Sequence, residues 1–179
     1  TIITGYTDSV GAGFLDAFIV KYSSSGVQLW NRTWGGNGND YGYSLTVDSA
    51  SNIIAVGYTR SYGAGGYDAF IVKYSSSGVQ LWNHTWGGNS YDYGYDVAVD
   101  SADNIILTGY TRSFGAGGYD AFVVKYSSAG VQLWNNTWGG SNYDYGYGSA
   151  VDSADSIVIT GATESFGAGG VDAFIVKYS

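Results

Sequence analysis

A 52-residue unit recurs along this chain, and this repetition limits the possible folds more than any other feature of the sequence. Residues 57–108 match residues 109–160 at 41 of 52 positions without a gap, and the 179 residues hold three full periods plus 23. Glycine, aspartate and tryptophan residues keep the same step, as in Gly5, Gly57, Gly109 and Gly161. A repeat of this length is typical of propellers and solenoids, so residues 1–179 are interpreted as one repeat array.

Each unit contains four segments rich in β-branched and aromatic residues, separated by clusters of Gly, Ser, Asn and Asp. In the unit that spans 91–139, the pattern predicts strand a at Tyr95–Asp100, strand b at Asn104–Thr111, strand c at Asp120–Ser127 and strand d at Val131–Trp138. No segment shows a sustained 3.6-residue period, so we expect essentially no helix. The predicted fold class is therefore all-β.

Four short antiparallel strands in each repeat favour a β-propeller blade over a parallel β-helix coil, whose rungs are usually shorter. A blade buries both faces against its neighbours, which suits the nearly continuous apolar strands at 105–107 and 121–124. With strand a innermost, the chain reads b-c-d, then two complete blades, then a-b-c, which makes fourteen strands and about 3.5 blades. The predicted units are a partial blade at 1–34, complete blades at 41–86 and 93–138, and a partial blade at 145–179.

The two partial blades carry six strands between them, two more than one blade needs. Three arrangements fit this count: a four-bladed ring with two thin blades, an oligomer that pools its blades, and an excerpt of a longer polymerising array. Unpaired strand edges recruit partners. We therefore expect the chain to associate with copies of itself, as an oligomer or a polymer.

The repeated string also resembles a known family. The segments Trp86–Gly88, Asp92–Tyr95, Ala98–Asp100, Thr108–Ser113 and Asp120–Lys125 are similar to the β-propeller repeat of bacteria and archaea known as SBBP. The resemblance covers the whole chain and recurs three times. It implies a propeller fold and an extracellular or cell-surface location in a prokaryote, because members are mostly large surface or secreted proteins. It implies no catalytic residues.

Composition and charge exclude several classes of partner and site. The net charge is −8, and all seven cations occupy repeat positions without forming a basic patch, so nucleic acid is excluded as a partner. The absence of cysteine excludes disulfides and thiolate metal sites. No apolar run approaches the roughly 20 residues that cross a bilayer, so we expect no transmembrane segment.

Each complete repeat carries the N-glycosylation pattern Asn-X-Thr, with the acceptor at Asn31, Asn83 and Asn135 of strand d. In an extended strand, the asparagine and the threonine point to one face while the flanking tryptophans point to the other. The alternative is that Asn and Thr are only polar strand residues. Both interpretations stay open, and occupied sites would require an extracellular or cell-surface location.

Tyrosine-rich segments join each outer strand to the next inner strand, and we read them as loops. Exposed tyrosines beside Asp and Asn can stack on sugars and hydrogen-bond to them, because a phenol has an apolar face and a polar tip. The alternative is packing between blades, with Asp40, Asp92 and Asp144 accepting backbone N–H bonds in tight glycine turns. The candidate sugar-binding residues are Tyr41, Tyr91, Tyr93, Tyr143 and Tyr145.

Other polar positions favour structural roles. The acidic loop Asp100–Asn104 lacks the central Gly and terminal Glu of an EF-hand, so we predict a turn and no cofactor, with weak calcium binding left open. Lys73 and its copies are expected to pair with a carboxylate on the adjacent blade. The single histidine, His84, has no nucleophile beside it, so we predict no catalytic residue.

Together these features predict a non-enzymatic structural or adhesive protein of the cell surface or extracellular space, which assembles through incomplete blades. The alternative function is a lectin-like propeller that uses the Tyr/Asp segments to bind a surface polysaccharide.

Overall fold

A computed structural model describes residues 1–179 and contains fourteen β-strands and no helix. The prediction of an all-β chain of fourteen strands is confirmed. The structure contains no helix that is long and apolar enough to cross a bilayer. The strands are β1 (Ile2–Thr7), β2 (Asp16–Tyr22), β3 (Gln28–Trp34), β4 (Asp40–Val47), β5 (Ile53–Thr59), β6 (Asp68–Tyr74), β7 (Gln80–Trp86), β8 (Asp92–Val99), β9 (Ile105–Thr111), β10 (Asp120–Tyr126), β11 (Gln132–Trp138), β12 (Asp144–Val151), β13 (Ile157–Thr163) and β14 (Asp172–Tyr178).

The strands form four antiparallel sheets in which chain neighbours pair in order. Sheet 1 contains β1–β3, sheet 2 contains β4–β7, sheet 3 contains β8–β11 and sheet 4 contains β12–β14. Short turns suffice because antiparallel neighbours need no crossover. In the turn between β10 and β11, Gly130 has φ 86°, a conformation that glycine adopts without steric cost. In the turn between β8 and β9, Asp103 has φ 59°, which Asp tolerates better than most residues.

The first strands of sheets 2, 3 and 4, which were predicted as inner strands and keep that name below, begin earlier than predicted. Strand β8 starts at Asp92 rather than Tyr95, so the tyrosine-rich segment that we read as a loop belongs to the sheet. Tyr93 pairs with Tyr110 of β9, and a bulge between Gly94 and Asp96 then shifts the register. Asp, Gly and Tyr in sequence resemble a turn, but cross-strand pairing and the bulge accommodate them within a strand.

The four sheets stack face to face, with one hydrophobic core between each consecutive pair. Between sheets 2 and 3, Ile71 belongs to the same core as Phe122 and Val124, and all three side chains are fully buried. Sheets 2 and 3 are therefore buried on both faces, whereas sheets 1 and 4 each bury only one. The stack is open, because no core joins sheet 4 to sheet 1.

Tryptophans on β3 and β7, the last strands of sheets 1 and 2, contact the following sheet. Trp82 Nε1 donates a hydrogen bond to Ser128 O at 3.3 Å, in the hairpin of the following sheet. The ring of Trp86 lies 4.2 Å from that of Phe122, measured between centroids. Trp34 and Phe70 make the same contact one repeat earlier, also at 4.2 Å. Apolar burial between sheets thus continues to the outer edge of the stack.

The lysine of each third strand finds its carboxylate within its own sheet, so the prediction of a partner on the adjacent blade is wrong. Lys73 Nζ lies 2.8 Å from Asp48 Oδ2, and Asp48 directly follows β4 of the same sheet. Lys73 is opposite Ile54 on β5, which places its flexible stem one strand away from the end of β4. Its contact with the adjacent sheet is a hydrogen bond to a carbonyl, Ser128 O, at 3.1 Å.

Candidate functional site

Thirteen tyrosine rings form one continuous cluster at the end of the stack where the inner strands begin. Each ring has a neighbour in the cluster, and centroid separations run from 4.7 Å between Tyr58 and Tyr93 to 6.4 Å between Tyr91 and Tyr93. The rings come from all four sheets. The tyrosine cluster consists of Tyr6, Tyr41, Tyr43, Tyr58, Tyr67, Tyr91, Tyr93, Tyr95, Tyr110, Tyr119, Tyr143, Tyr145 and Tyr147.

Strand geometry explains why the rings meet. Tyr93 and Tyr95 lie two residues apart on β8, and Tyr110 is the cross-strand partner of Tyr93. Directly opposed side chains in an antiparallel pair are close enough for aromatic rings to contact each other. Face-to-face stacking of the sheets then brings Tyr110 within 4.9 Å of Tyr145 in the next sheet. The cluster is thus a product of both the register and the stacking.

All five predicted sugar-binding tyrosines belong to this cluster. Tyr91 and Tyr143 are each 42% exposed, whereas Tyr41, Tyr93 and Tyr145 are half-buried among other rings. The half-buried three pack against rings of neighbouring strands and sheets, and sugar binding by any of the five stays a prediction. The prediction missed the tyrosines of the second strands and those that precede the third strands, which repeat every 52 residues as Tyr58 with Tyr110 and Tyr67 with Tyr119.

Two arginines lie against the cluster. The Arg60 guanidinium lies 6.0 Å from the centroid of Tyr67, and Arg112 makes the same contact with Tyr119 at 5.9 Å. Such cation–π contacts contribute about 0.5–1 kcal/mol at exposed sites. A cavity of about 310 Å³ opens beside the first arginine, lined by Arg60, Gly65, Gly66, Asn89, Ser90 and Tyr91.

Burial raises the pKa of the central phenols. It raises the pKa of Tyr58, and the hydrogen bond with Tyr43 raises it further. Burial and the hydrogen bond with Tyr95 act on the pKa of Tyr110 in the same direction. The cluster therefore offers hydroxyl groups and aromatic faces to a ligand.

Buried aspartates next to the cluster accept several hydrogen bonds each. Asp92 Oδ2 accepts hydrogen bonds from Gly88 N at 2.8 Å and from Ser113 Oγ at 2.6 Å, while Oδ1 accepts one from Thr111 Oγ1. Asp40 and Asp144 make the corresponding contacts in their own repeats. These bonds tie the start of each inner strand to the end of the second strand, which agrees with the expected role of these aspartates in glycine turns.

A second aspartate column faces the first across each junction between sheets. A Cβ atom on Gly87 would lie 2.2 Å from Asp68 Oδ1 and 2.6 Å from Asp92 Oδ2, so only glycine fits between the two carboxylates. Asp68 is 1% exposed, and its Oδ2 has no hydrogen-bond partner. Burial, together with the charge of Asp92, raises the pKa of Asp68 to about 6. This pair was not predicted from the sequence. The feature that indicates it is the glycine before each inner strand.

The three sequon asparagines lie on strands β3, β7 and β11 and are exposed, as glycan acceptors must be. Each is the cross-strand partner of a valine on the strand that precedes it in the chain. Asn83 stays exposed even though its sheet is packed on both faces, so this position lies at the rim of the junctions. Glycan occupancy at Asn31, Asn83 and Asn135 stays a prediction.

The acidic loops form the predicted turns. Asp100 Oδ1 accepts hydrogen bonds from Asn104 N at 2.9 Å and Ala102 N at 3.0 Å, while Oδ2 lies 2.7 Å from Lys125 Nζ. Both carboxylate oxygens thus have partners within the protein. His84 stacks parallel to Tyr126 of the next sheet, with 5.8 Å between ring centroids.

Comparisons with known proteins give distant relatives. No protein-family model matches the chain. An uncharacterized WD repeat-containing protein of Acanthamoeba polyphaga mimivirus is 29% identical over 54% of this chain and 8% of the relative. Regulatory protein FlaEY of Caulobacter vibrioides is 25% identical over 90% of this chain and 19% of the relative. The chain therefore spans less than a fifth of the length of either.

Among solved structures, a protein of unknown function from Bacteroides caccae is similar, with a TM-score of 0.49 and 11% sequence identity. The similarity covers 81% of this chain and 46% of that protein.

Proposed function

We propose that this chain is a non-enzymatic structural protein of the prokaryotic cell surface, which associates with copies of itself through the open faces of its first and last sheets. In this proposal the sheets are blades of an open β-propeller array of the SBBP type. The sequential four-stranded antiparallel sheets, the 52-residue repeat and the similarity to a WD repeat-containing protein support the propeller assignment.

The exposure of Ile175 carries the proposal. Its side chain is 76% exposed on the outer face of sheet 4, whereas its equivalents Ile19, Ile71 and Val123 are fully buried against the next sheet. Burial of an isoleucine side chain contributes roughly 1.5–3 kcal/mol. Association with a surface like that of the next repeat is therefore favoured.

The outer face of sheet 1 is equivalent to the faces that sheets 2 and 3 pack against the preceding sheet. Phe18 and Val20 are half-exposed there, while their equivalents Phe70 and Val72 are fully buried against the preceding sheet. A hollow of about 170 Å³ lies beside them, lined in part by Val10. At the internal junctions the Ile71 face packs on the Phe122 face, so the last face of one copy should pack on the first face of another.

This contact is head to tail, which generates rings where the rotation closes and filaments where it does not. We expect Ile175→Lys and Val20→Lys each to yield monomers, since each blocks one face. Mixed in equal amounts, the two variants should form a dimer and nothing larger, because each retains the face that the other has lost. Leu81→Lys, on an exposed outer strand, is the matched control and should assemble normally.

Multi-angle light scattering on the separate and mixed samples provides the readout. If the mixture stays monomeric while wild type assembles, association uses other surfaces and the head-to-tail proposal is wrong.

A second function, carbohydrate binding, is favoured by the tyrosine cluster. The exposed rings of Tyr91 and Tyr143 lie next to polar residues in the sequence that include Asn89 and Asn142. A sugar can stack on the apolar face of such a ring and hydrogen-bond to the polar groups around it. Binding to a glycan array should disappear with Tyr91→Ala plus Tyr143→Ala and persist with Tyr62→Ala, an exposed tyrosine outside the cluster. Absence of glycan binding by folded wild-type protein would remove this function.

We also propose N-glycans on the exposed asparagines of the outer strands. Expression in a host that performs N-glycosylation, followed by intact mass spectrometry, should show up to three glycans. Each of Asn31→Gln, Asn83→Gln and Asn135→Gln should remove one, and an unmodified mass for the secreted wild type would contradict the proposal.

A further inference from the structure

Two tyrosine pairs within the cluster join directly adjacent strands through a hydrogen bond between their hydroxyl groups. Tyr43 and Tyr58 have hydroxyl oxygens 3.0 Å apart and ring centroids 5.2 Å apart, with 27° between ring planes. Tyr95 and Tyr110 repeat this geometry with 3.2 Å, 5.2 Å and 25°. In both pairs the ring carbons beside the hydroxyls, the ortho carbons, therefore lie at the same end.

The chain contains its own comparison at the equivalent position of sheet 4. Tyr147 occupies the place of Tyr43 and Tyr95, but Ala162 stands where the other sheets have Tyr58 and Tyr110. Tyr147 is 49% exposed and lies near other rings, yet its hydroxyl has no tyrosine hydroxyl in contact. Two pairs and one unpaired tyrosine thus share one backbone setting.

The chain lacks the two sulfur-containing side chains that would compete most strongly with these pairs for an oxidant. It contains no cysteine and no methionine, the two side chains that oxidants usually consume first. Tyr43 is 42% exposed, which leaves a phenol of the pair open to an oxidant at the surface. Oxidation would therefore produce phenoxyl radicals next to a stacked partner.

We propose that Tyr43–Tyr58 and Tyr95–Tyr110 are sites of dityrosine cross-linking, formed by hydrogen peroxide with a haem peroxidase as the oxidant. Each phenol loses one electron and one proton, and the two radicals couple through a new bond between ortho carbons. The ring hydrogens at those carbons then return to the two oxygens and restore the phenols. Each cross-link thus releases two protons and two electrons, which reduce one hydrogen peroxide to two waters.

Such a bond would fasten the innermost strand of a sheet to its neighbour. Strand β4 would be joined to β5, and β8 to β9, at the end that the Tyr-Gly bulge makes irregular. A covalent link between two strands removes conformational freedom from the unfolded chain. This modification suits a structural protein, and its existence does not depend on self-association or on sugar binding.

The test is treatment of the full-length chain with peroxidase and hydrogen peroxide, followed by tryptic mapping. Cleavage after the arginines and lysines places each tyrosine pair within a single peptide, at 33–60 and at 74–112, and Tyr147 within 126–177. We expect the first two peptides to lose two hydrogen atoms each, with dityrosine fluorescence, and the third to stay unchanged.

Two variants decide whether pairing is the cause. Tyr58→Phe should abolish the change in 33–60 and leave that in 74–112 intact. Ala162→Tyr should create a third cross-link in 126–177, because it completes the missing pair. The proposal is overturned if neither wild-type pair loses hydrogen, if Tyr58→Phe leaves the change in 33–60, or if Ala162→Tyr gains no link.

Discussion

One heptapeptide, Asp-Ala-Phe-Ile-Val-Lys-Tyr, occurs three times in the chain and has three different environments. At 68–74, in sheet 2, every one of its residues is buried. At 172–178, in sheet 4, only the phenylalanine is buried, and at 16–22, in sheet 1, Asp16, Ala17 and Ile19 are buried. All three copies are strands paired in the same register with the strand that precedes them in the chain.

The difference teaches that local sequence determines the strand, while burial is determined by the sheets stacked on either side. The free energy that holds this protein together is therefore located mainly at the junctions between sheets, as nearest-neighbour models of repeat proteins describe. Equivalent substitutions in different copies of the heptapeptide should then have very different effects, and each copy is the control for another.

The lysine should show the largest difference. Lys73 and Asp48 side chains are 4% and 2% exposed, whereas Lys177 and Asp152 are 55% and 34% exposed. Lys73→Met should lower the free energy of unfolding by about 3–5 kcal/mol, because it leaves a buried carboxylate without its cation. Lys177→Met should cost only a small fraction of that. Denaturant unfolding measures both, and equal losses would contradict the stacking account.

The isoleucine should show the next largest difference. Ile71→Ala removes a fully buried side chain from the junction of sheets 2 and 3 and should cost about 2–5 kcal/mol. Ile175→Ala removes an exposed one and should change the stability of the monomer by no more than about 0.5 kcal/mol. Urea titrations at a protein concentration that keeps the chain monomeric provide the comparison. A large loss for Ile175→Ala would mean that sheet 4 is covered within the monomer.

The aspartate should give the smallest effect, visible as a pH dependence. Burial and Asp92 raise the pKa of Asp68 to about 6, above its ordinary 3.8, so the folded state binds this proton more tightly than the unfolded state. Its stabilising contribution is complete below pH 3.8 and is lost as the pH rises through about 6. The thermal midpoint should therefore be higher at pH 5 than at pH 8.

Asp68→Asn should reduce this difference between pH 5 and pH 8, and Asp172→Asn, at the half-exposed copy, should leave it unchanged. The pKa of Asp48 moves in the opposite sense: burial acts to raise it, but hydrogen bonds from Lys73 and Asn52 hold it below 3.8. Stability should therefore decline again at more acidic pH, as Asp48 is protonated. A thermal midpoint that rises steadily from pH 5 to pH 8 would contradict the role assigned to Asp68.

The strands were largely predictable because each repeat alternates β-branched runs with Gly, Ser and Asn turns. The start of the inner strand was not predictable, since Asp92–Tyr95 has the composition of a turn. This segment is a strand because Tyr93 pairs with Tyr110 and a bulge accommodates the residues that follow. The partner of Lys73 was also missed. The constant spacing of 25 residues from Asp48 to Lys73 and from Asp100 to Lys125 was the available signal.

The candidate site was only partly predictable. Tyr91 and Tyr93 could be identified by their composition and context, but which rings are covered depends on neighbouring sheets. Tyr58 and Tyr110 were not recognised as part of the cluster because they lie on apolar strands and appear as core residues. The Asp68–Asp92 pair joins residues of different sheets across Gly87, and the glycine that signals it in the sequence does not show which carboxylates lie on either side.

The most direct test of the central claim is the mass of the particle in solution. Sedimentation velocity over a range of concentrations should show species larger than 18.9 kDa that grow with concentration for the wild-type chain, and monomers for Ile175→Lys. A single 18.9 kDa species for wild type at every concentration would contradict the claim that the open sheet faces bind other copies.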